Sequence, residues 1–275
     1  MRAAFGLAGR YALLLAVLAI TVGPLLWQLT TALKGPGEDV YGDNASWWPR
    51  DLTFDNFVKI AQEVPIWSYV TNSVIVATLA IASNLVFASF GGYMLSRPGW
   101  RGRRAVFLLL VVALMFPFES IMISLFLSVR DMGLVDTLAG AWLPGVVGAF
   151  NVLIMRAAFL AVPSEVEDAA LMEGAGEWTR FRRIFLPSAK GAMTVIAINS
   201  FIAAWDDFLW PLIVLRSEEN FTLTLGLARL STSSFGVDDK LVMTGSMISV
   251  IPVVVLFFLA QRWFYRGVES GAVKM

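Results

Sequence analysis

Apolar residues along the chain gather into six long runs, separated by polar and charged stretches. In hydrocarbon the backbone N–H and C=O groups have to be paired within the segment itself, so a run of roughly 20 apolar residues predicts a membrane-crossing helix. The runs place spans at about 11–33, 69–96, 105–129, 137–160, 189–215 and 241–262. Glu119 interrupts the third and the pair Asp206 and Asp207 breaks the fifth, whereas the fourth is uncharged from Thr137 to Met155. The expected fold is an all-α polytopic membrane protein, a single membrane domain over residues 1–275 with six transmembrane helices.

Orientation follows from where lysine and arginine fall in the connections. Arg2 and Arg10, the cluster Arg97, Arg101, Arg103 and Arg104, the segment from Arg156 to Lys190, and the tail after the sixth span together hold 14 of the 21 basic residues. The three alternating connections hold seven, so both termini are predicted cytoplasmic. The connection from Lys34 to Ser68, with three basic and six acidic residues, is predicted to face outward, with Trp47, Trp48 and Trp67 at the interface. The first run is longer than the 7 to 15 apolar residues of a signal peptide and no small-x-small cleavage pattern follows it, so it is expected to be retained.

Composition sharpens this. The chain is 57% hydrophobic and 15% charged with a mean hydropathy of +0.71, against about 45–50% and 25% for soluble domains. Formal charge is zero, which removes a bulk electrostatic case for nucleic acid. Histidine and cysteine are absent. This excludes Ser-His-Asp and Cys-His nucleophiles, imidazole or thiolate metal sites, iron–sulfur clusters and disulfides within the chain. No metal site is expected, and carboxylate chemistry, transport and helical scaffolding are what survive.

The segment from Pro163 to Pro187 does not read as a linker. Ser164 with Glu167 three residues on has the form of a capping box that starts a short helix. Gly174 and Gly176 suit the left-handed geometry that ends one. A second helix is predicted with Trp178, Phe181, Ile184 and Phe185 on one side, before Pro187 restarts the chain into the fifth span. The result is a cytoplasmic helical hairpin. Small Ala169 and Ala170 beside Glu167 and Asp168 suit a helix that sinks into a groove on another protein. A hairpin lying on lipid headgroups is the alternative, but five acidic residues offset the five basic ones between Arg156 and Lys190, and surface-seeking helices are rich in lysine and arginine.

Asp168-Ala169-Ala170, then Gly174, then Ile184, Leu186 and Pro187, resembles the EAA loop of bacterial ABC importer permeases, spaced Glu-Ala-Ala-x3-Gly-x9-Ile-x-Leu-Pro. Every spacing agrees, with aspartate in place of the leading glutamate. The tail from Gln261 to Met275 is similar to that of the carbohydrate, maltose-permease-like class, with Met275 where glycine is usual. Ser46 to Phe57 and Ala204 to Pro211 resemble that class's first outer loop and fifth span, the latter reading Trp-Asp-Asp-Phe where Trp-Asn-Glu-Phe is commoner.

The resemblance implies a type I importer permease that forms half of the pathway for a sugar, oligosaccharide or related polyol. Its implied partners are a second permease subunit, two ATP-binding subunits docked on the EAA loops, an outer solute-binding protein and membrane lipid. It implies coupling through Glu167, Asp168, Ala169, Ala170, Gly174, Ile184, Leu186 and Pro187, and ATPase contacts by Gly271 and Lys274 in the tail. ATP and Mg2+ would sit on the partners, since no Gly-x4-Gly-Lys-Ser/Thr occurs in the chain. The outer connection from Arg216 to Lys240 resembles the segment such permeases insert into the binding protein, and equally reads as a solvated connection.

With 1.5 Å of rise per residue, Asn84, Glu119 and Asn151 fall roughly 20 Å from one end of their predicted helices, and Asp206 and Asp207 further outward. Membrane-buried ionisable groups usually face the bundle interior or a watery cavity. These five, with Trp205 or Phe116 as an apolar face, are the candidate substrate pathway; helix bridging by Asn84 and Asn151 and a structural role for the carboxylates are the alternatives. A permease for a glycerol phosphate ester, a polyamine or an anion stays open. So do an intramembrane hydrolase pairing Glu119 with Asp206 or Asp207 and a proton-coupled carrier, although neither accounts for a docking hairpin.

Overall fold

A computed structural model describes the backbone of residues 2–231 and 238–272 and the side chains of 9–231 and 238–261. The described residues form helices α1 (Arg2–Ala32), α2 (Asp55–Glu63), α3 (Ile66–Ser96), α4 (Arg103–Ala113), α5 (Phe118–Asp131), α6 (Leu138–Trp142) and α7 (Ala149–Leu160). These are followed by α8 (Ser164–Met172), α9 (Glu177–Arg180), α10 (Leu186–Ser188), α11 (Lys190–Trp205), α12 (Leu209–Val214), α13 (Leu223–Ser231) and α14 (Asp239–Ala272). There is no strand among them, only an isolated bridge between Lys34 and Leu52. The chain is an all-α membrane protein.

Among the described residues, three stretches are single helices long and apolar enough to cross a bilayer: Gly9–Ala32, Ile66–Ser96 and Asp239–Gln261. The rest of the apolar sequence forms bent pairs. α4 and α5 meet at 105°, the segments Leu138–Gly145 and Ala149–Leu160 at 46°, and Glu177–Ser188 and Lys190–Trp205 at 73°. Over 105–129 the chain is thus two helices rather than one. Pro117 lacks an N–H and drives the preceding residue away from helical geometry, and with φ −64° and ψ 139° it is itself extended. Over 189–215 the helix stops at Trp205 and resumes at Leu209.

The chain divides into two compact units, Met1–Trp67 with Leu225–Pro252, and Ser68–Thr224 with Val253–Met275. In the first, the end of α1 is capped by a side chain: Asn56 Nδ2 donates to the carbonyls of Ala32 at 2.8 Å and Lys34 at 2.9 Å, satisfying acceptors that a helix C-terminus leaves open. The Glu38 carboxylate gathers the loop, accepting the backbone N–H groups of Gly35, Arg50 and Asp51. Burial opposes ionisation there, yet those three donors hold the Glu38 carboxyl below its ordinary value. Lys240 donates to the carbonyls of Gly35 and Pro36, and Lys59 pairs with Asp238 at 2.7 Å. The apolar window of α1, by contrast, has no buried residue.

In the second unit, the core is an aromatic cluster. Tyr93 of α3 lies edge-on to Phe159 of α7 and Phe185, with ring centroids 5.9 and 5.2 Å apart, and Phe181 sits 4.9 Å from Tyr93. Close approach of α3 to α7 depends on Gly92, where a Cβ would lie 2.8 Å from both the backbone N of Arg156 and the Cβ of Met155. Small residues at membrane helix contacts allow this closeness. At the far end of α3, Tyr69 donates to Glu218 at 2.7 Å and Asn72 to the carbonyls of Glu219 and Phe221. These bonds pin residues 218–221 to α3.

Candidate functional site

Both candidate sites lie in the second unit. The first is the hairpin made of α8, the turn through Gly174, and a continuous helical stretch from Glu177 to Ser188. Gly174 adopts φ +75°, a geometry that costs a residue with a Cβ about 1–2 kcal/mol, and it ends α8 as the sequence predicts. Gly176 is instead extended at φ −67°. Phe181–Phe185 widens into a π turn; Pro187 cannot donate to the carbonyl of Arg183, so the ordinary ladder is interrupted there.

The capping box does not form. Pro163 is the cap residue of α8, Ser164 makes no capping hydrogen bond, and the helix begins at Ser164 itself. Glu167 is drawn elsewhere: one carboxylate oxygen accepts from Arg97, which directly follows α3, and the other from Arg180 of α9, the latter at 2.7 Å. Two half-buried guanidinium groups are stronger partners than a single backbone amide. With Glu167 turned inward, Asp168 and Ala169 are exposed and no residue of α8 is buried. Val166 and Met172, at 45% and 89% exposure, lie on the uncovered surface with Ala169 between them at three-residue spacing. Ile184 and Leu186 are partly buried against the aromatic cluster, and Pro187 is exposed. Of Gly271 only the helical backbone is described, and Lys274 lies outside the described residues.

The second site is a cavity of about 430 Å³ among α3, α6, α7, α11 and α12, lined by Asn84, Asn151, Asn199, Ser200, Asp207 and Trp142 among others. Its amides form one network. Asn84 Nδ2 donates to the carbonyl of Gly145 at 2.8 Å, and Asn84 Oδ1 accepts from the Gly148 N–H and from Asn151 Nδ2 at 2.8 and 2.9 Å. Asn151 Nδ2 also donates to Ser200, and Asn151 Oδ1 accepts from Asn199 at 3.1 Å. The absence of a side chain at Gly148 makes room, since a Cβ would lie 2.8 Å from both Asn151 Nδ2 and Asn84 Oδ1. Asp207 stands at the break before α12, accepting the Trp210 N–H at 3.3 Å.

The structure therefore brings Asn84, Asn151 and Asp207 together around one space. Glu119 and Asp206 are exposed outside its lining, as is Phe116. Trp205 is buried, stacked on Phe201 at 5.3 Å, and does not line the cavity. Asn199, Ser200 and Trp142 join it unforeseen, although Asn199 and Ser200 carry the same signal as Asn84, a polar side chain inside an apolar run. Arg97, Arg180 and Tyr93 at the hairpin are likewise additions.

A helical hairpin beside a polar cavity in an apolar bundle is an arrangement with known relatives. Residues 85–270 match the family described as binding-protein-dependent transport system inner membrane component. The chain belongs to this family. This inner membrane component is 37% identical over 227 residues to the arabinooligosaccharides transport system permease protein AraQ of Halalkalibacterium halodurans, covering 82% of this chain and 81% of that relative. It is 33% identical over 255 residues to the diacetylchitobiose uptake system permease protein DasC of Streptomyces coelicolor, covering 92% of both. In fold it resembles a chain of a bacterial ABC transporter that imports the acidic polysaccharide alginate, with a TM-score of 0.85, 24% identity, and coverage of 96% of this chain and 98% of that one. The inner membrane component thus shares its fold over nearly its whole length with a solved importer.

Proposed function

We propose that this chain is the permease subunit of an ATP-driven, binding-protein-dependent importer for an oligosaccharide, sugar or related polyol. The observation that carries it is α8: a short helix with no buried residue, ended by a left-handed glycine and presenting Val166, Asp168, Ala169 and Met172 outward, in a chain whose relatives are oligosaccharide transport permeases. A small apolar face flanked by carboxylates suits a groove on an ATP-binding subunit. ATP and Mg2+ belong to two such partner subunits. The chain has both termini in the cytoplasm and pairs with a second permease subunit to complete the pathway, and an outer solute-binding protein delivers the cargo. A solved complex of the alginate transporter with its pentasaccharide-bound periplasmic protein, a TM-score of 0.69 from this chain, is a fold precedent for such an assembly.

The chemistry assigned to the cavity is hydrogen bonding of hydroxyl groups. Asn199 and Asp207 are assigned to the cargo's hydroxyls, with Asn151 beside them and Trp142 in the lining as apolar surface, while Asn84, whose amide is fully used within the network, holds the frame. Glu119 and Asp206, exposed on this chain, are assigned to the pathway shared with the second permease. In the tail, Gly271 and Lys274 are assigned to contacts with the ATP-binding pair. Alternating access follows: closure of those subunits pushes α8, and the bundle exposes its cavity outward.

The test is reconstitution with the neighbouring permease, ATPase and binding-protein subunits. Oligosaccharide uptake should require ATP and the binding protein; uptake driven by a proton gradient alone would overturn the assignment. Transport of a polyamine, a phosphate ester or an inorganic anion in preference to any saccharide would overturn the cargo class while leaving the importer in place.

A further inference from the structure

The second unit contains a closed ring of side-chain contacts that ties α8 to the membrane helix α3 twice over. Arg97, which directly follows α3 and whose N–H still donates to the carbonyl of Tyr93, donates to one oxygen of Glu167, and Arg180 of α9 donates to the other at 2.7 Å. Arg180 also pairs with Glu177, whose second oxygen accepts the hydroxyl of Tyr93 at 2.6 Å. Tyr93 lies one helical turn before Arg97, whose guanidinium carbon sits 5.3 Å from the Tyr93 ring centroid and 4.1 Å from that of Phe185. The circuit runs from α3 to α8 to α9 and back to α3.

We infer that this ring, centred on the carboxylate of Glu167, is the rigid link through which displacement of α8 reaches α3, with Tyr93, Arg97 and Arg180 as positioning residues for transport. Three features carry the inference. Among the described residues, Glu167 is the one member of α8 whose side chain hydrogen-bonds to another element, and nothing in α8 is fully buried, so packing is the weaker route. Both oxygens of each carboxylate are engaged by different groups, so neither acid can shift without carrying two neighbours. The side chains of Arg97, Glu167 and Arg180 are only 15%, 22% and 12% exposed, which puts them beyond the screening that makes open surface pairs weak. The arrangement also explains why Glu167 faces inward while its neighbour Asp168 is free to meet a partner. This rests on the proposed coupling role of α8 and adds to it the path that the motion takes.

The test uses the whole transporter reconstituted with its ATPase, second permease and binding-protein subunits. Co-purification with the ATPase, ATP hydrolysis and solute uptake are measured together. Arg97→Gln is expected to retain assembly and ATP hydrolysis while uptake per ATP falls about 5- to 10-fold, the scale of a coupling interaction. Tyr93→Phe, which keeps the ring and loses one hydrogen bond, is expected to fall about 2-fold. Unchanged uptake per ATP in Arg97→Gln overturns the inference. So does loss in equal proportion of uptake and hydrolysis.

Because the chain contains no cysteine, Arg97→Cys with Glu167→Cys gives an addressable pair, the partner subunits being made cysteine-free. A short bis-thiol reagent that bridges them should restore uptake per ATP lost in the unbridged form, a recovery that a merely structural role would not give. A bridged protein that stays uncoupled overturns the link. Absence of ATP-dependent uptake in the unsubstituted transporter would instead count against the proposed function, so the two failures are distinguishable.

Discussion

Asp136 binds Ser217 through both carboxylate oxygens, one accepting the backbone N–H at 2.9 Å and the other the hydroxyl. The first oxygen also accepts the Arg216 N–H at 2.9 Å, while Asn220 donates to the carbonyl of Asp136 at 2.7 Å. The Ser217 hydroxyl, followed by the two backbone donors, holds the Asp136 carboxyl well below the usual carboxylate range, against the opposing push of burial. A carboxyl depressed by folding contributes stability above its ordinary value of 3.8 and loses it as the pH falls toward the folded value. Asp136→Asn retains a residue tolerant of the φ of +61° found there but removes the charge. It should cost about 1.5–3 kcal/mol at neutral pH. Thermal unfolding in detergent between about pH 3 and 8 checks this: the gap between the variant and the unsubstituted chain should narrow below about pH 4, and a gap constant across the range would refute it.

Gly92 predicts an asymmetry with its neighbour. A methyl group there meets the backbone of Arg156 and the Cβ of Met155 at 2.8 Å, whereas at Gly91 the nearest atom is a side-chain carbon of Val152 at 3.2 Å. Backbone does not yield as a valine methyl does. Gly92→Ala is expected to destabilise by about 1–3 kcal/mol and Gly91→Ala by less than half as much. Equal melting temperatures for the two variants would contradict the close α3–α7 contact.

At Gly174 the restriction is conformational and not steric, since a Cβ there would have no atom within 4 Å while φ is +75°. Gly174→Asn should therefore be tolerated, whereas Gly174→Val should cost about 1–2 kcal/mol locally and tilt α8. Uptake per ATP in the reconstituted transporter should fall several-fold in the valine variant and stay within about twofold in the asparagine one. A valine variant with normal coupling would mean that the angle of α8 is unimportant.

The cavity separates two neighbouring acids. Asp207 lines it and Asp206 does not. Asp207→Ala should raise the KM for uptake about 5- to 10-fold, the effect of losing one or two hydrogen bonds to a hydroxyl-bearing cargo. Asp206→Ala, on the shared pathway but outside this cavity, should raise it by only about twofold, measured as initial uptake rate against binding-protein-loaded solute. The reverse order would move the solute path away from this cavity.

The all-α fold, the long apolar helices at 9–32, 66–96 and 239–261, the hairpin and its glycine stop were legible because each is a local property: apolar run length, the φ preference of Gly174, and the spacing through Pro187. The breaks at Pro117 and after Trp205 were partly legible, for Pro117, Asp206 and Asp207 stand in plain view. An unbroken apolar run nevertheless outweighs a single proline when only hydropathy is read. The inward turn of Glu167 was not legible. Its partners lie 70 and 13 residues away, and a capping box is the best use of that carboxylate when only its neighbours in sequence are considered. Asn199 differs from Asn84 and Asn151 in no local property, and a neutral amide, far cheaper to bury than a charge, marks a pathway only weakly. Trp205 failed as a candidate because aromatic character at membrane depth does not distinguish a ring that faces a cavity from one packed in the core.

The uncovered window of α1 carries an implication for how the chain diverges. Side chains there meet no neighbour within this chain, so exchanges among leucine, valine, isoleucine and alanine along it leave the chain's own packing unchanged. The last two turns, where Trp27 meets the Trp47 ring at 4.9 Å and Asn56 reads the carbonyls of Ala32 and Lys34, demand a fixed register. Apolar exchanges upstream of Trp27 should therefore leave the fold of this chain intact, and any that impair transport would mark the face that meets another subunit.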